Sequence, residues 1–291
     1  ELDSQDMVGY TRSFINDFES AISQKIEIDV DRDWSGVLCL GMGGSGAGGM
    51  FLSTLSDYSG GIPFVVWRDY GLPSWWGSDW LVLATSYSGN TEETIDGVQE
   101  ALRSGGTVIG ISSGGKLEKL ISESEESLFL SVPGGQMPRS AFGHLFGRQL
   151  SICWALGIIE KPDGQETLEM IERLRSSSTD FDISGGNGLV VSVADSMLNK
   201  QIGIIAPTIL ISAARRFSNQ LNENSEVFAR SSELPEMNHN EIVAWSSANE
   251  NDHSLIYFSC ENIHPRVHSR MNWMLENIDN NSSWIIDCEG A

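Results

Sequence analysis

Positive charge is what this 291-residue sequence has least of: 18 Lys and Arg stand against 40 Asp and Glu, a formal net charge of −22. Such a surface repels phosphodiester backbones and anionic membranes and has no basic face from which counterions could be released, so no nucleic-acid or membrane partner is expected. Cysteine is scarce too. The four, Cys39, Cys153, Cys260 and Cys288, sit singly in apolar runs with no Cys-x-x-Cys pair, which argues against finger-type metal sites and for buried free thiols in a reducing compartment. Long hydrophobic runs are missing. The strongest, 202–214, contains Pro207 and is too short to span a bilayer, and no basic leader opens the chain; the expectation is a soluble, cytoplasmic protein.

Glycine, by contrast, is plentiful, with 30 residues, and it is placed where apolar runs end. The run Val37-Leu38-Cys39-Leu40 breaks into Gly41-Met42-Gly43-Gly44-Ser45-Gly46 and then into a helical pattern. A turn of this kind presents free backbone N–H groups at a helix N-terminus, where the helix dipole adds partial positive charge, so it holds a phosphate without a basic side chain. The run 81–85 repeats the design with hydroxyls, in Ser86-Tyr87-Ser88-Gly89-Asn90-Thr91, where Ser86, Ser88 and Thr91 are donors for the same anion. The acidic surface does not forbid this, because distant charge is screened beyond about 10 Å.

At 291 residues and 40% hydrophobic content the chain has material for two ordinary cores. Apolar residues spaced three and four apart over 4–26 predict a lead-in helix that packs rather than reacts. Strands are expected at 37–40, 64–67, 80–84, 107–111 and 128–132, separated by helical or turn segments, which is the pattern of a parallel sheet covered on both faces. Ligands of such sheets bind at the carboxyl ends of the strands, where both turns fall. A polar helix over 161–182 and the glycine-rich stretch 184–188 mark a boundary. Beyond it, strands expected at 189–193, 227–228, 255–258 and 283–286, with helices over 207–221 and 265–277, form a smaller α/β unit. The domain reading is therefore 1–160, a connecting helix 161–183, and 184–291.

Other constellations are less decisive. Gly41 to Gly46 fits the Gly-x-Gly-x-x-Gly of dinucleotide folds, with Asp69 as a ribose-binding acid, which keeps a nucleotide-dependent oxidoreductase open; the hydroxyl-lined second turn weighs against it. Arg139 follows the fifth strand, where a guanidinium suits a developing oxyanion, though a solvated loop charge is an equal reading. Glu223 ends a helix between Asn222 and Asn224, either as a polar cap or as an acid–base group. Glu236, His239 and Glu241 lack the open face of a zinc helix, so no metal is expected. His264 and His268 flank Pro265 and read as surface groups at a helix start, while His144 and His253 give no signal.

Taken in order, the GMGGSG turn, the SYSGNT turn, the Pro138-Arg139 element, the NEN element around Glu223 and the LPEMNHNE element around His239 resemble the bifunctional phosphoglucose/phosphomannose isomerase family of sugar isomerase (SIS) domain proteins, from about residue 36 to the end. The resemblance implies an α/β fold of two SIS-type, flavodoxin-like subdomains, each a parallel sheet flanked by helices. It implies interconversion of glucose 6-phosphate and fructose 6-phosphate, and of mannose 6-phosphate, through an enediol, within glycolysis and gluconeogenesis and without a cofactor. It also implies a homodimer whose site is shared between subunits. Carried over by motif, Gly44, Ser45, Ser86, Ser88 and Thr91 hold the substrate phosphate, Arg139 steadies the enediolate, Glu223 moves the proton, with desolvation raising its pKa, and His239 opens the ring. A non-catalytic SIS module that binds sugar phosphate is the alternative, and it would need neither Glu223 nor His239. The resembled family continues past this chain into a helix with a site lysine, so the C-terminal end is expected to be truncated.

Overall fold

The computed structural model describes residues 3–28, 33–185, 188–249, 251–278 and 282–288; Gly186 and Asn187 of the expected boundary stretch lie outside them, as do the last three residues. The chain divides into two compact units, Glu1–Ser178 and Thr179–Ala291.

The first unit opens with α1 (Met7–Ser23), capped by Asp6, whose carboxylate accepts the Gly9 N–H. There follow β1 (Gly36–Leu40), α2 (Gly43–Ser59), β2 (Phe64–Trp67), β3 (Trp80–Thr85), α3 (Glu92–Arg103), β4 (Val108–Ser112), α4 (Gly115–Ser122), β5 (Leu128–Ser131), α5 (Phe142–Ala155) and α6 (Gly164–Asp180). The five strands are all parallel in the order β2-β1-β3-β4-β5, the flavodoxin-like order. Alternation along the strands divides the core. Val37, Cys39, Leu81, Leu83, Ile109 and Ile111 face one layer, where Phe18 of α1 and Leu145 and Ile152 of α5 also lie. Leu38, Leu40, Val82, Ala84 and Val108 face the other, with Val98 of α3 and Leu117 of α4. Apolar residues on both faces of a strand are what a sheet covered on both sides requires.

The second unit contains α7 (Leu189–Met197), β6 (Gln201–Pro207), α8 (Ile211–Ser225), β7 (Ala229–Leu234), a 3₁₀ turn (Glu236–His239), α9 (Ile242–Ser247), β8 (His253–Ser259), α10 (Pro265–Asn277) and β9 (Ser283–Asp287). Its four parallel strands run β7-β6-β8-β9, which repeats the first four positions of the other sheet. Ile202, Ile204, Ala206, Ile256 and Phe258 face α7 and α8. Ile205, Leu234, Leu255 and Tyr257 face the opposite way, onto Met237 of the 3₁₀ turn, Trp245 of α9, and Met271 and Met274 of α10.

Three readings of the second unit are corrected. Residues 189–193 are helical, not a strand; the valine-rich run favours a strand locally, but the central sheet position is taken by β6, and the helix instead lays Val193 and Met197 on the core. β6 itself was absorbed into the apolar stretch 202–214, since a fully buried strand has no alternation to distinguish it from a buried helix. The strand expected at 227–228 is β7, two residues later; its sequence, Ala-Arg-Ser-Ser-Glu-Leu, is polar because β7 is the edge of the sheet. The thiols also differ. Cys39 and Cys153 are buried, with burial pushing Cys39 up to about 12, whereas Cys260 and Cys288 are only partly covered.

Candidate active site

The two turns singled out for phosphate leave adjacent strands. β1 and β3 pair through Leu40 and Ala84, and the strand order reverses between them, which is where ligands of this topology bind. In the first turn the earliest intrahelical bond runs from the Gly46 N–H to the Met42 carbonyl. The amides of Gly43, Gly44 and Ser45 precede it and have no acceptor within α2. In the second turn the earliest helical bond runs from the Ile95 N–H to the Thr91 carbonyl, so α3 presents a second N-terminus at the same edge.

Direct bonds join the turns. The buried Ser45 Oγ accepts the Tyr87 N–H at 3.1 Å, which leaves its own O–H to donate to something else. Ser86 Oγ and Thr91 Oγ1 lie 2.8 Å apart; one hydroxyl donates to the other, so the pair offers one outward proton between them. Ser88 is exposed and its Oγ accepts the Asn90 N–H at 3.2 Å, so its proton also remains available. Gly89 turns this loop at φ +64°, where a Cβ would stand 1.7 Å from the Gly114 carbonyl oxygen.

Arg139 arrives from the loop after β5. The contact that places it is made by Gly44: a Cβ there would stand 2.9 Å from the Pro138 carbonyl oxygen and 3.1 Å from the Arg139 Cα. Gly44 therefore serves close backbone approach as well as amide presentation. Gly44, Ser45, Ser86, Ser88, Thr91 and Arg139 thus belong to one edge of the first unit's sheet. The half-buried Arg139 guanidinium donates to Gln5 Oε1 at 3.1 Å.

Sequence reasoning missed the residues that brace this loop. Tyr87 Oη donates to the Pro133 carbonyl at 3.0 Å and accepts the Gln136 N–H at 2.9 Å, while the Tyr87 carbonyl accepts Ser113 Oγ at 2.7 Å. Gln136 Nε2 donates to Asp17 of α1 at 2.9 Å, and His144 Nε2 lies 3.4 Å from the same carboxylate. Burial holds the His144 pKa below its ordinary value, with Asp17 opposing that shift and Arg148 reinforcing it. Tyr87 stands inside a motif already marked. Asp17 was hidden by the apolar stripe of its helix.

Glu223 and His239 belong to the second unit. Glu223 is exposed near the C-terminus of α8, after Asn222, whose amide exchanges hydrogen bonds with the Ala229 backbone at the start of β7. Arg216, two turns earlier on the same face of α8, has its pKa lowered to about 10 by burial, with Glu223 opposing the shift. In the single chain Glu223 lacks the cover that the desolvation expectation requires. His239 is exposed at the end of the 3₁₀ turn. Glu236 and Glu241 do not join it as a ligand set: Glu241 is held by Arg230 at 2.8 Å, Ser232 at 2.5 Å and Trp245 at 2.8 Å. Among the described residues no three His, Cys, Asp or Glu side chains converge in a metal-binding group. Asp69 accepts the adjacent Tyr70 N–H in a local turn. No helix of the described residues is long and apolar enough to cross a membrane.

The topology, with hydroxyl-bearing turns after the first and third strands, is that of the SIS-domain class, and residues 190–290 match the model of the bacterial phospho-glucose isomerase C-terminal SIS domain. Glucosamine-6-phosphate deaminase from Thermotoga maritima superposes with a TM-score of 0.66 over 99% of this chain and 85% of its own, at 13% identity, a likeness of fold alone. More specifically, the chain belongs to the bifunctional phosphoglucose/phosphomannose isomerase family. The relative of that name from Caldicellulosiruptor bescii is 36% identical over 78% of this chain and 67% of its own length. A relative from Sulfolobus acidocaldarius, 30% identical over 88% of this chain and 78% of its own, is named D-glucosamine-6-phosphate 4-epimerase. The chain spans about two thirds of the length of the first of these relatives.

Proposed function

We propose that this protein is an aldose–ketose isomerase that interconverts glucose 6-phosphate and fructose 6-phosphate, and mannose 6-phosphate with fructose 6-phosphate, through an enediol. The observation that carries the reading is the meeting of the two phosphate turns with Arg139 through Gly44 and Ser45, in a chain of this family. The 6-phosphate is taken by the amides of Gly44 and Ser45 and the hydroxyls of Ser45, Ser86, Ser88 and Thr91. Glu223 takes the C2 proton and returns it to C1, Arg139 stabilises the enediolate oxygen, and His239 exchanges a proton with the ring oxygen to open the sugar. The reaction moves protons within one substrate and calls for no redox cofactor.

Glu223 and His239 lie on elements that cover opposite faces of one sheet, which supports a reading in which they act on one substrate from two copies of the chain. The proposal is therefore a C2 homodimer in which His239 of one copy serves the Glu223 site of the other, built from SIS-type domains at 1–160 and 184–291 and working in the cytoplasm. A coupled assay started with fructose 6-phosphate, following glucose 6-phosphate and mannose 6-phosphate separately, tests it. No product with either readout would leave the non-catalytic binding module. Because of the epimerase-named relative, glucosamine 6-phosphate belongs in the same assay as a competing substrate.

A further inference from the structure

The second unit has a groove that the isomerase reading does not use. It has a volume of about 430 Å³, within the range of small-molecule sites, and is lined by Asn238, Ile242, Arg266, Ser269, Arg270 and Trp273. The four residues from α10 fall at i, i+3, i+4 and i+7 and so form one stripe of the helix. Met271 and Met274, on the neighbouring stripe, are buried against the sheet.

Three features of the groove point to a ligand. Arg266 and Arg270 are exposed cations in a chain of net charge −22, and among the described residues neither has a carboxylate partner, whereas Arg175, Arg215 and Arg230 each do. Among the described residues the buried Oδ1 of Asn238 has no hydrogen-bond partner. Its Nδ2 donates to the thioethers of Met237 and Met274, at 3.5 and 3.2 Å, which are weak acceptors that a small turn of the amide would release. Trp273 is 49% exposed and, with Ile242, gives the groove an apolar wall. Two guanidinium groups beside a hydroxyl suit a phosphate, an indole suits the C–H face of a sugar or polyol, and an orphan carbonyl oxygen suits a ligand hydroxyl.

We propose that this groove is a second ligand site, for a small phosphorylated polyol. Arg266, Ser269 and Arg270 take the phosphate, Trp273 and Ile242 take the carbon chain, and Asn238 accepts one hydroxyl. Asn238 immediately precedes His239, so occupancy bears on the residue assigned to ring opening; that regulatory consequence rests on the isomerase reading, while the binding does not.

The test is a tryptophan-fluorescence titration with glucitol 6-phosphate on the Ser86→Ala/Ser88→Ala variant, in which the catalytic phosphate turn is weakened. A saturable change is expected that disappears with Trp273→Phe and whose midpoint rises at least about tenfold with Arg266→Ala/Arg270→Ala. In the chain without the serine changes the same titration is expected to show two phases, of which the arginine pair removes one. No saturable change up to roughly 10 mM, a concentration at which even a weak specific site fills, or a change indifferent to the arginine pair, would overturn the site. Inorganic phosphate reaching the same midpoint would overturn the polyol assignment. Absence of isomerase activity in the unsubstituted chain would count against the catalytic reading and leave this titration standing.

Discussion

Glu223 and His239 lie on opposite sides of the same four-stranded sheet. Glu223 sits on α8, whose Ile211 and Ala214 pack on Ile204 and Ala206; His239 ends the 3₁₀ turn whose Met237 packs with Leu234, Leu255 and Tyr257. The alternation of β7 shows the division residue by residue, since Glu233 reaches Arg215 of α8 at 3.8 Å while Ser232 meets Glu241 ahead of α9. This placement is what the proposed sharing of a site between two copies of the chain rests on.

Glu223→Gln keeps size and hydrogen-bond reach but cannot accept a proton. Turnover should fall by about 10²–10⁴ with KM little changed. Steady-state kinetics checks this, together with loss of C2 deuterium to solvent in the unsubstituted enzyme. A variant that keeps more than about a tenth of the turnover, outside the range expected for a lost general base, would remove the proton step from Glu223.

The hydroxyls of the second turn are not equivalent. Ser86 and Thr91 share a hydrogen bond and lend one proton between them, whereas Ser88 keeps its own. Ser88→Ala should raise KM by about tenfold or more, the loss expected of one hydrogen bond to a charged group, with the melting temperature unchanged. Ser86→Ala should move both KM and melting temperature, because it also strips Thr91 of its buried partner.

Tyr87→Phe removes the hydroxyl that bridges the Pro133 carbonyl and the Gln136 N–H. The cost should be about 1–3 kcal/mol, the range for a partner group left unsatisfied. In a unit of this size that lowers the melting temperature by roughly 2–4 °C per kcal/mol. Calorimetry reads the stability and kcat reads the position of Arg139. A variant indistinguishable in both would show that the loop holds without the bridge.

The strands of the first unit were legible in the sequence, because they are short apolar runs punctuated by Gly and Ser turns that coincide with the strand ends; their flavodoxin-like order followed only from the family resemblance. β6 and α7 were not, since Ile202–Pro207 carries no alternation and the valines of 189–193 favour the wrong element until the sheet positions are known. The two turns proposed to hold phosphate could be picked out because glycines and hydroxyls at a helix start form a local pattern. Asp17 and Gln136 were not, because their partnership spans 119 positions of chain and exists only once α1 packs beside the loop.

His144 gives the fold an acid-sensitive element. Burial lowers its folded-state pKa below the unfolded value of about 6.5. On acidification the unfolded chain is protonated first, so the stability contributed by neutral His144 is complete above that value and is lost as pH falls toward the lowered folded one. His144→Gln should flatten this limb of stability against pH, read by denaturant melts between about pH 5 and 7.5. An unaltered slope would assign the acid sensitivity to other groups.

Subunit complementation tests most directly whether Glu223 and His239 act from different copies of the chain. Glu223→Gln and His239→Asn, each inactive alone, are mixed in equal amounts under conditions that exchange subunits. In the mixed dimer both substitutions fall in one site and leave the other intact, so random exchange should restore about a quarter of the unsubstituted activity in a C2 dimer. Activity that stays at the level of the separate variants, with mixed dimers demonstrated, would place both residues in a site of one chain and contradict the account.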